Sequence, residues 1–214
     1  YYSRLAYVSE ARRLGLTIQP LDINESEKEY RGKGKNLYVG FMQLKGFPEK
    51  NITRLLNERR QNGPFTSFRN FWERVSPEAK DVEMLIKAGA LDRIEPAANR
   101  PTLMWRLKQL MNHKRPDHSR KNELGLTPDT GVPVMPDYPL SLKRQHEKEV
   151  FGGVLSEHPL AIYADRIQKI RHVPGSQLPR YSGQKITMIG WMISGKIVKK
   201  KKNEMMEFFS FEDE

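Results

Sequence analysis

Residues 41–60 read FMQLKGFPEKNITRLLNERR, and the turn at their centre sets how the rest of the chain is read. An apolar approach runs into a tight Lys45-Gly46-Phe47-Pro48 corner, after which Ile52, Leu55 and Leu56 recur at three- and four-residue spacing along one helix face. Pro48 suits the first helical turn, where a missing N–H costs nothing. Downstream, VEMLIKAGALD, Val82 to Asp92, repeats the device: a helix ending at Lys87 meets Ala88-Gly89-Ala90. Corners of this kind leave backbone N–H groups unpaired beside the positive end of a helix dipole, which suits an anion. The expected phosphate-facing set is Lys45, Gly46, Phe47, Lys50 and Asn51 at the first corner, and Lys87, Ala88, Gly89 and Ala90 at the second.

Any pair of packed antiparallel helices also uses glycine just past a helix C-terminus, so each corner taken alone serves equally as a plain turn. Two such corners within about forty residues, both flanked by lysines, read instead as tandem helix-hairpin-helix units that bind DNA phosphate. The first departs from the Gly-hydrophobic-Gly pattern of that motif, because Pro48 stands at the second glycine and removes a donor. The second is read as keeping all its donors, and is therefore expected to contribute more to binding.

Composition agrees with a polyanionic partner. Lys and Arg number 37 against 26 Asp and Glu, a formal charge of +11, which favours DNA through counterion release. At 214 residues and 37% hydrophobic the chain suits one or two domains joined by linkers. Zero cysteines exclude disulfides, thiolate metal sites and a cysteine nucleophile. With no run of eighteen apolar residues and no signal peptide, a bacterial cytoplasm is expected, with no membrane partner.

The chain begins Tyr1-Tyr2 within a helical pattern through Leu5 and Val8 to Gly15, which reads as the cut end of a longer polypeptide. LTIQPLDIN is read as extended, and RGKGKNLYVGF as a short hairpin lacking the spacing of a nucleotide-binding loop. Gly63-Pro64 breaks the chain. A helix started by Thr66 or Ser67 then carries Phe68, Phe71, Trp72 and Val75 as a core stripe that clamps the two hairpins. Leu103, Trp105, Leu107 and Leu110 mark a further helix, and residues 115–138 a long surface segment. His113, His118 and Asp117 lack the companions of a metal site, and His158 lacks those of a catalytic acid-base. Helical patterning returns over 140–163, and Pro174, Gly175 and Pro179 mark a boundary.

The last segment alternates as an antiparallel sheet: a strand over 186–193, a turn from Lys196 to Lys202, then Met206, Phe208 and Phe211, taken as three strands. Such a sheet leaves an open aromatic edge near Glu214 that is expected to be poorly stabilised. Lys196, Lys199, Lys200, Lys201 and Lys202 are read either as a solvated tip or as a platform for single-stranded DNA.

The runs YVSEARRLGLTIQPLDINESEKEY, VGFMQLKGFPEK, GPFTSFRNFWERV and LIKAGALD, in that order, resemble the fingers end and tandem helix-hairpin-helix region of the bacterial DNA polymerase III alpha subunit. FGGVLSEHPLAIY resembles the lead into that family's OB domain, and GQKITMIGWMISGKIVKKKKNEMMEFFSFEDE its opening strands. The resemblance implies a mainly α chain with a small β part: the end of a fingers domain (1–39), a tandem helix-hairpin-helix region (40–93), a helical linker (94–175) and a truncated OB-like sheet (176–214). It also implies nucleotidyl transfer by carboxylate-held magnesium in the parent, with the catalytic carboxylates outside this chain and no cofactor within it. Double-stranded DNA would sit on the hairpins and single-stranded template near the OB segment. A sliding-clamp peptide in the linker has its nearest match at Asn122-Glu123-Leu124-Gly125-Leu126, which lacks the glutamine and the aromatic. Two other readings stay open: a stand-alone accessory protein, and a scaffold for the sliding clamp and other replisome subunits.

Overall fold

The chain is mainly α with a small β part. The computed structural model describes residues 4–113, 133–199 and 205–213, and its packing separates residues 16–153 from a second compact unit of 4–15 with 154–213. The clamp-peptide match, Asp117, His118 and Lys200, Lys201 and Lys202 lie outside the described residues.

The larger unit opens with a small sheet. Strand β1 (Thr17–Gln19) runs parallel to β3 (Asn36–Tyr38), and β2 (Arg31–Lys33) pairs antiparallel with β3 around the Gly34-Lys35 turn, so the expected hairpin is present. Asp22 turns the chain between β1 and β2 by accepting hydrogen bonds from the amides of Asn24 and Glu25 at 2.8 and 3.0 Å. Asn24 instead reaches Phe65, exchanging two bonds with its backbone, both at 2.8 Å.

Five helices follow: α2 (Glu49–Asn62), α3 (Phe68–Val75), α4 (Ala79–Lys87), α5 (Arg100–His113) and α6 (Leu140–Phe151). The apolar approach before the first corner is a single 3-10 turn, Phe41–Gln43, rather than a helix. Ile52, Leu55 and Leu56 are buried, as their spacing requires. They meet the α3 stripe of Phe68, Phe71, Trp72 and Val75, with Val82, Leu85, Ile86, Leu91 and Leu103 in the same core. Each such side chain contributes about 1.5–3 kcal/mol by leaving water. Ser67 caps α3 by accepting from the Asn70 amide at 3.1 Å. Arg74 closes the far end of α2: it donates to the carbonyls of Glu58, Gly63 and Pro64 while its guanidinium lies 4.5 Å from the centre of the Phe65 ring.

The smaller unit holds α1 (Arg4–Arg13), with Val8 and Ala11 buried and Arg12 hydrogen-bonded to the Leu155 carbonyl. It also contains a 3-10 turn at Pro159–Tyr163, the short helix α7 (Ala164–Ile167) and an antiparallel ribbon of β4 (Trp191–Lys199) and β5 (Met205–Glu212). The ribbon corrects the expected three strands. Among the described residues, 186–190 join no strand, and pairing runs from Trp191 opposite Glu212 to Lys199 opposite Met205, with a register shift between Met192 and Ser194. Lys196 and Lys199 therefore belong to β4 rather than to a turn, because strand pairing extends further than the apolar alternation signals. Two strands do not define a barrel.

Candidate nucleic-acid interface

The first corner is open. Gly46 takes φ +73°, a left-handed conformation that a glycine adopts without steric cost, and a Cβ placed there would meet nothing within 4 Å. Phe47 turns inward and is 9% exposed, so it anchors the corner to the core rather than facing a ligand. Pro48 is the N-cap of α2, with φ −67° and no side-chain bond to the helix. The amides of Asn51 and Ile52 donate to the Pro48 carbonyl at 2.9 and 3.2 Å. Those of Glu49 and Lys50 are thus the first-turn donors at the positive end of the helix. Lys50 is exposed beside them, and the Glu49 carboxylate is drawn aside by an ion pair with Lys28. The Lys45 amide is not available: it donates to the Val150 carbonyl at 2.7 Å.

The second corner contradicts the expectation of unpaired donors. Gly89, at φ +78°, sits just past the C-terminus of α4, and the chain closes there in a Schellman turn. The Ala88 amide donates to Met84, that of Gly89 to Ile86 and that of Ala90 to Leu85, at 2.9, 3.0 and 2.9 Å. The helix end presented is also the negative one. Arg100 covers it, donating to the Lys87 carbonyl at 3.1 Å and pairing with Asp92 at 2.8 Å. Ala88 and Ala90 are buried, and the Ala90 carbonyl accepts from Ile23 at 2.8 Å. Lys87 lies between Glu83 and Glu149 at 2.9 and 2.7 Å. Burial works against its charge, but the two carboxylates prevail and hold its pKa above the usual lysine value.

Sequence reasoning passed over three side chains that shape this face. Asp81, in the first turn of α4, is 1% exposed, and its Oδ2 accepts from Asn51 Nδ2 at 2.5 Å, tying the first turns of α2 and α4 together. Its Oδ1 has no hydrogen-bond partner among the described residues, and burial raises its pKa against the opposing pull of Asn51. Lys80 stands beside it, largely exposed. Glu149 on α6 comes from the part of the chain read as linker. Their signal was faint, since a single lysine or acid near a helix end has many uses.

In the smaller unit the ribbon presents Trp191, Phe208, Phe209 and Phe211, each 42–53% exposed, together with exposed Lys196 and Lys199. No helix among the described residues is long and apolar enough to cross a membrane.

Both corners fall within residues 15–103, which match a family model described as a helix-hairpin-helix motif. Over 97% of its length the chain is 30% identical to the DNA polymerase III subunit alpha of Treponema pallidum (strain Nichols), of which it spans 19%. It is 29% identical over 97% of its length to that of Neisseria meningitidis serogroup A, again spanning 19%, and 29% identical over 73% to that of Thermus aquaticus, spanning 13%. The chain belongs to the DNA polymerase III alpha subunit family, and covers less than a fifth of each of these relatives.

Proposed function

We propose that this chain is a non-catalytic DNA-binding segment of a DNA polymerase III alpha-like protein acting in replication. Duplex DNA is held without sequence preference at the first corner, where Gly46, the α2 amides of Glu49 and Lys50 and the Lys50 ammonium meet a backbone phosphate. The observation that carries this is the open, uncapped N-terminus of α2 beside an unhindered Gly46. The exposed aromatics and lysines of the ribbon favour single-stranded template as a second ligand, since bases stack on such rings whatever their sequence. Among the described residues no group of three carboxylate or imidazole side chains is placed to hold a metal ion.

The test is anisotropy of labelled duplexes of unrelated sequence across a salt series. Equal affinities that fall steeply with salt are expected, because phosphate contacts release counterions and carry no base code. Absence of binding at low salt, or affinity insensitive to salt, overturns the reading.

A further inference from the structure

A cavity of about 350 Å³ lies between the first corner, α4 and α6, lined by Lys45, Lys80, Lys87, Glu83, Glu149 and Val150. Three ammonium-bearing side chains thus border one space, and their surroundings differ. Lys80 is largely exposed, 3.6 Å from Glu78. Lys45 folds toward the end of α6: a Cβ added at Gly152 would fall 2.7 Å from its Nζ. Lys87 is only 17% exposed and is neutralised by Glu83 from its own helix and by Glu149 from α6. The Glu149 side chain is itself 56% exposed, so nothing encloses it on the solvent side.

From this arrangement we infer that the cavity is a second phosphate seat, filled in the free protein by the Glu149 carboxylate, which a phosphodiester of bound DNA displaces from Lys87. The inference rests on the reading that duplex DNA meets the first corner. The two places share a wall, because the Lys45 amide is bonded to Val150, the neighbour of Glu149. A phosphate oxygen is chemically the same kind of partner for Lys87 as the carboxylate it replaces, an anionic acceptor of a charge-assisted hydrogen bond. Exchange leaves Lys87 paired and returns Glu149 to water. Without DNA the carboxylate keeps the seat from retaining stray anions, so Glu149 acts as an internal competitor that lowers affinity.

The experiment uses the whole chain, a labelled duplex and anisotropy across a salt series. Glu149→Gln is expected to tighten binding about threefold to tenfold at low salt and to steepen the salt dependence by about one phosphate contact. Glu73→Gln, the same change of charge at an exposed position on α3, is expected to give a smaller gain with an unchanged slope. Adding Lys87→Gln to Glu149→Gln should abolish the gain, because the seat then has lost the cation that pairs with the phosphate. Equal behaviour of the Glu149 and Glu73 variants, or a gain that survives loss of Lys87, overturns the inference. If melting shows that Glu149→Gln loosens the fold, Lys87→Gln alone decides: it is expected to weaken duplex binding and flatten its salt slope, and affinity and slope equal to those of the unaltered chain also overturn the inference. Duplex binding by the unaltered chain that is weakened by Gly46→Asp leaves the first-corner reading standing whatever these variants do. Absence of any duplex binding removes both.

Discussion

Gly46 and Gly89 have nearly the same backbone angle, φ +73° and +78°, in opposite surroundings. Beside Gly46 there is space, whereas a Cβ at Gly89 would fall 2.2 Å from an Arg100 guanidinium nitrogen. Asp tolerates the left-handed region better than most residues, so Gly46→Asp should cost only about 1 kcal/mol of stability while placing a negative charge at the α2 N-terminus. A loss of duplex affinity of about tenfold is expected from it, since one repelled contact is worth on the order of 1 kcal/mol. Gly89→Asp should act the other way, displacing Arg100 and destabilising the fold by about 2 kcal/mol, with affinity little changed in the folded fraction. Melting and anisotropy on both variants check this. The order expected from sequence, with the second corner the more important, is thereby reversed. Asp81 gives a pH signature. Its folded pKa is raised above the usual 3.8, chiefly by burial, so the native state holds the proton more tightly than the unfolded chain. Stability from this group is complete below pH 3.8 and is lost as pH rises through the raised value. Asp81→Asn removes that titration. Subtracting its unfolding free energy from that of the unaltered chain should give a difference that falls as pH climbs from about 4, and a flat difference would sink the argument.

At the scale of elements, what the sequence made legible was periodic and local. Ile52, Leu55 and Leu56 announced α2, and the Phe68, Phe71, Trp72, Val75 stripe announced α3, because burial on one helix face writes itself at three- and four-residue spacing. A helix start at Thr66 or Ser67 was legible from residue type alone, and Ser67 is the one that caps. Ser67→Ala should cost about 1 kcal/mol in urea unfolding, and an unchanged midpoint would show that the cap bond is idle. The second corner was not legible. Ala88-Gly89-Ala90 is compatible with an open anion site and with a closed Schellman turn, and what decides is Arg100, which folds back from the next helix onto Lys87. The ribbon was half legible, since apolar alternation marks strands but not how far a lysine-bearing segment stays paired. A two-stranded ribbon with half-exposed aromatics has little core of its own. Its amides from Trp191 to Lys199 should exchange with solvent far faster than those of Ile52 to Leu56, and equal protection would contradict this.

Across the whole molecule, the 37 lysines and arginines overstate how many cations DNA can meet. Arg59 is bound to Glu27, Arg74 to Glu58, Arg100 to Asp92 and Arg106 to Glu95, so these cations brace the fold. The salt dependence of duplex binding should accordingly report only about two to four phosphates, far fewer than the count of basic residues. A slope equivalent to ten or more would mean that binding is diffuse rather than centred on one corner. One bond has a further consequence, in the order of folding. The Lys45 amide is held by Val150, so the open corner is braced by a helix made much later in the chain. Contacts among α2, α3 and α4 close short loops and form early, whereas a brace between such distant residues must wait for a long loop to close. On the ribosome, therefore, the corner emerges unfinished and acquires its final shape only once residues 140–151 have left the exit tunnel and docked, which delays its competence to grip a phosphate until most of this chain has been made.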